Sequence, residues 1–214
     1  MQNEFVRKAK RINRIDNSLS NEELFRLLPE INLINDETIR QHTIQTFLYG
    51  CPDYFWTRPT SSTGNHHSPD ESGKFGNLIH TKRVFVEYDN IVESYVEADV
   101  LTEWQADCGR AAALVHDMLK YGWPSEQNSH TTTDHDCIAG AVARHIGGLP
   151  DECARLIEAH NGPWYDGPTS DTQHEWIFHS ADKSASGVPE DIRAVYYLPD
   201  EVRKMWPEVP VIHE

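Results

Sequence analysis

The chain has 214 residues, 38% of them hydrophobic and 25% charged, with a net charge of -15. That length suits one domain, or one domain with short decorations, whose core needs no disulfides to hold it. The acidic balance disfavours general nucleic-acid binding. No apolar run nears the length of a membrane span, and the polar amino-terminal segment lacks a secretory core, so a cytoplasmic protein with no membrane partner is expected. The four cysteines, Cys51, Cys108, Cys137 and Cys153, form no Cys-x-x-Cys pair, which argues against a structural zinc knuckle.

Taken in chain order, the elements read as helix almost throughout. Ser20-Asn-Glu-Glu23 has the capping-box form and opens a short helix through Leu28. A second helix is predicted from about Asp36 to Tyr49, with Gly50 as its stop. Residues 52–76 carry Pro59, Gly64, Pro69, Gly73 and Gly76 and read as a long loop, the kind that is often functional, with room for a small hairpin. Helical spacing resumes from Asn77 to about Val100. It resumes again from about Thr102 to Tyr121, ahead of Gly122 and Pro124. Further helices are expected from about Asp134 to Ile146, from Pro150 at a first helical position to His160, and from Gln173 to Ser186. Two short pieces, Pro189–Tyr197 and Pro199–Trp206, close the chain.

On five of these helices a polar residue sits on the apolar face. His80 shares its face with Val84, Tyr88 and Ile91. His116 and Asp117 lie in the apolar run from Ala111 to Leu119. His135 aligns with Ile138, Ala139 and Val142, His160 with Cys153, Leu156 and Ile157, and Asp182 with Phe178 and Ala185. A buried carboxylate without a partner is very costly. Two carboxylates and four imidazoles meeting in one interior have a common explanation in a bound cation. Imidazole-rich ligation suits Mn, Fe, Co, Ni or Zn, with Mg as a further option, as one ion or as two with Asp117 bridging.

The order His80 … His116-Asp117 … His135 … His160 … Asp182 resembles the HD superfamily of metal-dependent phosphohydrolases. So do the local runs Gly76-Asn-Leu-Ile-His80, Ala113-Leu-Val-His-Asp-Met-Leu-Lys120, Ile157-Glu-Ala-His160 and His179-Ser-Ala-Asp-Lys183. The resemblance covers about residues 60–186. Pro59-Thr-Ser-Ser … His66-His67 … Gly76-Asn-Leu-Ile-His80 is similar, more loosely, to the segment leading into the HD domains of 3′–5′ exoribonucleases, with Asn77 where those have a second glycine. The resemblance implies an all-α HD-domain bundle over residues 51–188. A helical amino-terminal extension (1–50) packs on its core, and a short helical tail (189–214) follows.

The implied activity is hydrolysis of a phosphomonoester or phosphodiester, foremost of a nucleotide, by metal-activated water. The partner is then a small-molecule phosphate, and neither the substrate nor the oligomeric state follows from the sequence. Asp117 is the expected catalytic ligand and Lys120 a catalytic and phosphate-holding cation, one helical turn after His116. His66, His67, Arg144 and Lys183 are further candidates for substrate contact, and His179 is a candidate partner for Asp182. Two other chemistries fit the same ligand set: a di-iron oxygenase, and a single-strand nuclease or phosphodiesterase.

Overall fold

The computed structural model describes residues 2–9, 19–61, 67, 69–123, 128–162 and 167–187, and every regular element among them is helical, so the protein is all-α. The α-helices are α1 (Gln2–Ala9), α2 (Asn21–Leu27), α3 (Glu37–Gly50), α4 (Gly76–Glu97), α5 (Glu103–Val115), α6 (His135–Val142), α7 (Asp151–Ala159) and α8 (Gln173–Ser186). Tight 3-10 turns occupy Pro29–Leu33 and Asp53–Trp56, and a wide π-turn, Ala143–Gly147, continues α6. The tail helices expected at Pro189–Tyr197 and Pro199–Trp206 lie outside the described residues, as does His66.

Three helix starts are fixed by reciprocal capping. Ser20, Thr102 and Thr172 each accept the backbone N–H three residues on, and Glu23, Gln105 and Glu175 reach back to the cap. Each such cap contributes roughly 1 kcal/mol. α4 packs on both α5 and α8, α6 packs on α7, and α3 lies against α5 and the π-turn. Leu24 and Phe47 from the first fifty residues share one apolar core with Val84, Leu114, Val142 and Phe178. At Gly109 on α5 a Cβ would stand 1.9 Å from the Tyr88 ring, so the missing side chain is what lets α4 and α5 close. The Tyr88 hydroxyl then reaches His174 Nε2 at 2.7 Å, and His174 Nδ1 lies 2.8 Å from Glu152. This buried chain ties α4, α8 and α7 together.

Four local expectations are corrected. The helix predicted to reach Tyr121 stops at Val115, and residues 116–121 tighten into i→i+3 turns, with Met118 N–H on Val115 O and Lys120 N–H on Asp117 O. The helix expected to run to Ile146 widens into the π-turn after Val142. Pro150 is the N-cap of α7 and not its first residue. No hairpin strands form among the described residues of the 52–76 loop. Its two arms are joined instead by Thr60 N–H to Glu71 O at 2.9 Å and Asn77 N–H to Arg58 O at 3.0 Å. Within the helical extension expected over 1–50, α1 was not delimited: it is short and polar, and its apolar residues Phe5 and Val6 become informative only against α6.

Candidate metal centre

The six predicted ligands converge, and helix ends supply most of them. His116 follows the last residue of α5, His160 follows the last of α7, and His135 opens α6. His80 and Asp182 lie within α4 and α8. A helix end leaves its last carbonyls without intrahelical partners. His116 Nδ1 donates to one of these, Ala113 O, at 2.9 Å, and His160 Nδ1 donates at 2.7 Å to Ile157 O, which the His160 backbone N–H also reaches. His135 Nδ1 donates to Thr132 O at 2.7 Å. A carbonyl oxygen only accepts, so in all three rings a proton sits on Nδ1, and in the neutral form Nε2 carries the lone pair.

Those lone pairs face Asp117. His135 Nε2 lies 3.2 Å and His160 Nε2 3.6 Å from its Oδ1. His116 Nε2 lies 3.5 Å and His80 Nε2 3.6 Å from its Oδ2. Asp182 Oδ1 completes the second set, 3.1 Å from His80 Nε2 and 3.8 Å from His116 Nε2. The trios His80–His116–Asp117 and Asp117–His135–His160 each have ligand atoms within 4.8 Å of one another. Asp117 is common to both.

The chemistry of this donor set fits a cation. A lone pair on nitrogen directed at a carboxylate oxygen gains nothing until a positive charge lies between them. His116 Nε2 and Asp117 Oδ1 are buried without a hydrogen-bond partner, the vacancy in bonding that a metal ion satisfies. The centre also sits at the carboxyl ends of α5 and α7, where the helix dipoles favour positive charge. The group is buried: Asp182, the most exposed of the six, is 7% exposed.

Charges are partitioned unevenly within the centre. Burial pushes His116 down to about 3, outweighing the nearby Asp117, so it stays neutral. Burial would also lower His80, but the Glu71 and Asp182 carboxylates prevail and raise it to about 9. Asp117 and Asp182 are held well below the ordinary carboxylate range. Their burial is outweighed by the Lys120 ammonium for Asp117, and by His80 for Asp182.

Lys120, 8% exposed, is brought to this group and pairs directly with Asp117 Oδ2. It does so through the tightened turn, not from a continuing helix as its spacing predicted. His67 is also close, its ring centre 4.8 Å from that of His80. Arg144 is not brought in. It is held by Asp151 at 2.6 Å and Glu158 at 2.7 Å on the π-turn. Lys183 is exposed on α8. His179 bonds His160 O at 2.6 Å, so it supports a ligand other than the Asp182 expected from its spacing.

Sequence reasoning missed four supporting residues. Asn77 donates to Asp117 O at 3.1 Å and accepts from Thr60 at 3.0 Å, so the residue that departs from the glycine pattern locks the His116-Asp117 turn to the loop. Asn161 Nδ2 lies 3.3 Å from His135 Nε2 and 3.3 Å from Asp136 Oδ2. Glu71 and Arg83 form a buried pair behind His80. The signals available were the i,i+4 spacing of His67 and Glu71, and Arg83 falling one turn after His80.

A separate cavity of about 840 Å³ lies between α1, α6 and α7, and none of the six ligands lines it among the described residues. No helix among the described residues is long and apolar enough to cross a membrane. No family model matches the chain, and comparison with curated proteins and with solved structures gives no match.

Proposed function

We propose that the chain is a metal-dependent phosphohydrolase of the HD type, cleaving a phosphomonoester or phosphodiester, foremost of a nucleotide. The observation that carries this reading is the division of one carboxylate, with Asp117 Oδ2 facing His80 and His116 while Oδ1 faces His135 and His160. A shared carboxylate of this kind suits a pair of divalent transition-metal ions. His80, His116, Asp182 and Asp117 would hold one, and Asp117, His135 and His160 the other. Metal bound here supplies hydroxide near neutral pH and positive charge for the phosphoryl oxygens.

The chain's own groups do the rest. Asp117, fixed by Asn77 through its carbonyl, orients the attacking water. Lys120 Nζ stands at the rim of the buried centre and offers a substrate phosphate a charge-assisted hydrogen bond. His67, lowered by burial and so neutral, donates Nδ1–H to Glu71 at 2.8 Å and keeps Nε2 for the substrate. The acidic chain favours a small phosphoester over a long polyanion.

The test is phosphate release from nucleotides and small phosphodiesters with Mn, Co, Ni, Fe, Mg and Zn. Metal-dependent release is expected, lowered at least about a hundredfold by Asp117→Ala, since even outer partners of a metal ligand cost ten- to a hundredfold. Full activity in that variant overturns the reading. Dioxygen consumption by the iron form without phosphate release replaces it with the oxygenase chemistry, and degradation of single-stranded oligonucleotides with the nuclease.

A further inference from the structure

His80 is anchored unlike the other three imidazoles. Its Nδ1 faces a carboxylate, Glu71 Oε2, at 3.4 Å, where the others face backbone carbonyls. That distance is long for a hydrogen bond, and Nδ1 has no other partner, so it is a charge contact with room to tighten. Glu71 is fully buried. Its second oxygen, Oε1, accepts from Arg83 Nη1 at 2.6 Å, and Arg83 also grips Asp70 at 2.6 Å. Arg83, 1% exposed, lies on the same helix as His80. The Glu71 backbone is fixed as well: its carbonyl accepts from Thr60, and a Cβ on Gly76 would stand 1.8 Å from it.

We propose that Glu71, oriented by Arg83, is the positioning residue that makes His80 a metal ligand. It keeps the ring proton on Nδ1 and aims Nε2 at Asp117 and Asp182. This rests on the metal-centre reading above, and it adds that the two halves of the centre are supported by different devices and can be uncoupled. Arg83 makes the role directional. It only donates, so the oxygen beside it must accept. Glu71 Oε2 also accepts from His67 Nδ1 at 2.8 Å, but a neutral imidazole can change tautomer and a guanidinium cannot, so in a Glu71→Gln variant the amide oxygen turns to Arg83 and the amide N–H₂ turns to the side of His67 and His80. An N–H at that position requires a lone pair on Nδ1, which moves the ring proton to Nε2, where it blocks ligation. The His135–His160 half has no contact with Glu71 among the described residues and keeps its own carbonyl anchors.

The experiment is a calorimetric titration of the metal-free full chain with Co²⁺, followed in parallel by the visible spectrum of the bound ion. In the wild type two binding steps are expected. In Glu71→Gln one step weakens ten- to a hundredfold and its spectral contribution fades, while the other stays within about twofold. Glu71→Asp, which keeps a carboxylate, recovers part of the lost step. Two unchanged steps in Glu71→Gln overturn the proposal, and so does equal weakening of both, which is what a merely structural role gives. If Glu71→Gln does not fold, Glu71→Asp and Arg83→Lys are each expected to weaken the same single step, and wild-type behaviour in both overturns it. A wild-type chain that takes up no cobalt sinks the metal centre itself, an outcome distinct from any failure of the variants.

Discussion

The two halves of the centre are built by different means. On the side of His135 and His160 each imidazole is fixed by a carbonyl three residues before it, Thr132 O or Ile157 O. The ligand and its support come from the same few residues. On the other side His116 is anchored in the same way, on Ala113 O, but the support of His80 comes from a loop, through Glu71, and is steadied by a buried arginine. A support made of local backbone survives most substitutions around it. A support made of two buried charges is weakened when either is removed, because the charge left behind loses a buried partner.

The sharpest way to break this comparison is to remove one ligand from each half. His135→Ala and His80→Ala should each abolish one of two Co²⁺ steps, with a loss beyond a hundredfold, and leave the other present. A single variant that removes both steps would show that the halves are not separable. A pH series comes next. In the metal-free protein His80 is raised to about 9, so at neutral pH it holds a proton that the incoming ion must displace. Uptake on that half should strengthen by up to about tenfold per pH unit as pH rises toward 9, then level off. The smallest effect is expected at Gly76→Ala, whose Cβ meets Glu71 O. Thermal unfolding should report a loss of about 1–3 kcal/mol from overpacking, and metal uptake should weaken only on the His80 half.

The same contrast explains what the sequence could disclose. α8 was legible, Gln173–Ser186, because its apolar face is a local signal. His80, His116, His135, His160 and Asp182 were legible because each is a polar residue on an apolar face. The end of α5 was not legible. Met118 and Leu119 continue the apolar run past Val115, and what tightens the chain there includes a bond from Asn77, forty residues away in sequence. Glu71 and Arg83 were hidden for a related reason. In sequence they are an acid in a polar loop and a cation on a long helix, and only the packing of the loop onto α4 turns them into a buried pair. Arg144 misled in the opposite direction, since a cation near ligand helices reads as a phosphate contact until Asp151 and Glu158 are seen to hold it.

The proposed division of Asp117 between two metal ions is tested most directly by crystals of the chain grown with Mn²⁺ or Co²⁺ and measured at the metal's absorption edge. Two anomalous peaks are expected, about 3.5–4 Å apart, one beside Oδ2 among His80, His116 and Asp182, the other beside Oδ1 among His135 and His160. A single peak remote from Asp117, or none at saturating metal, would contradict it.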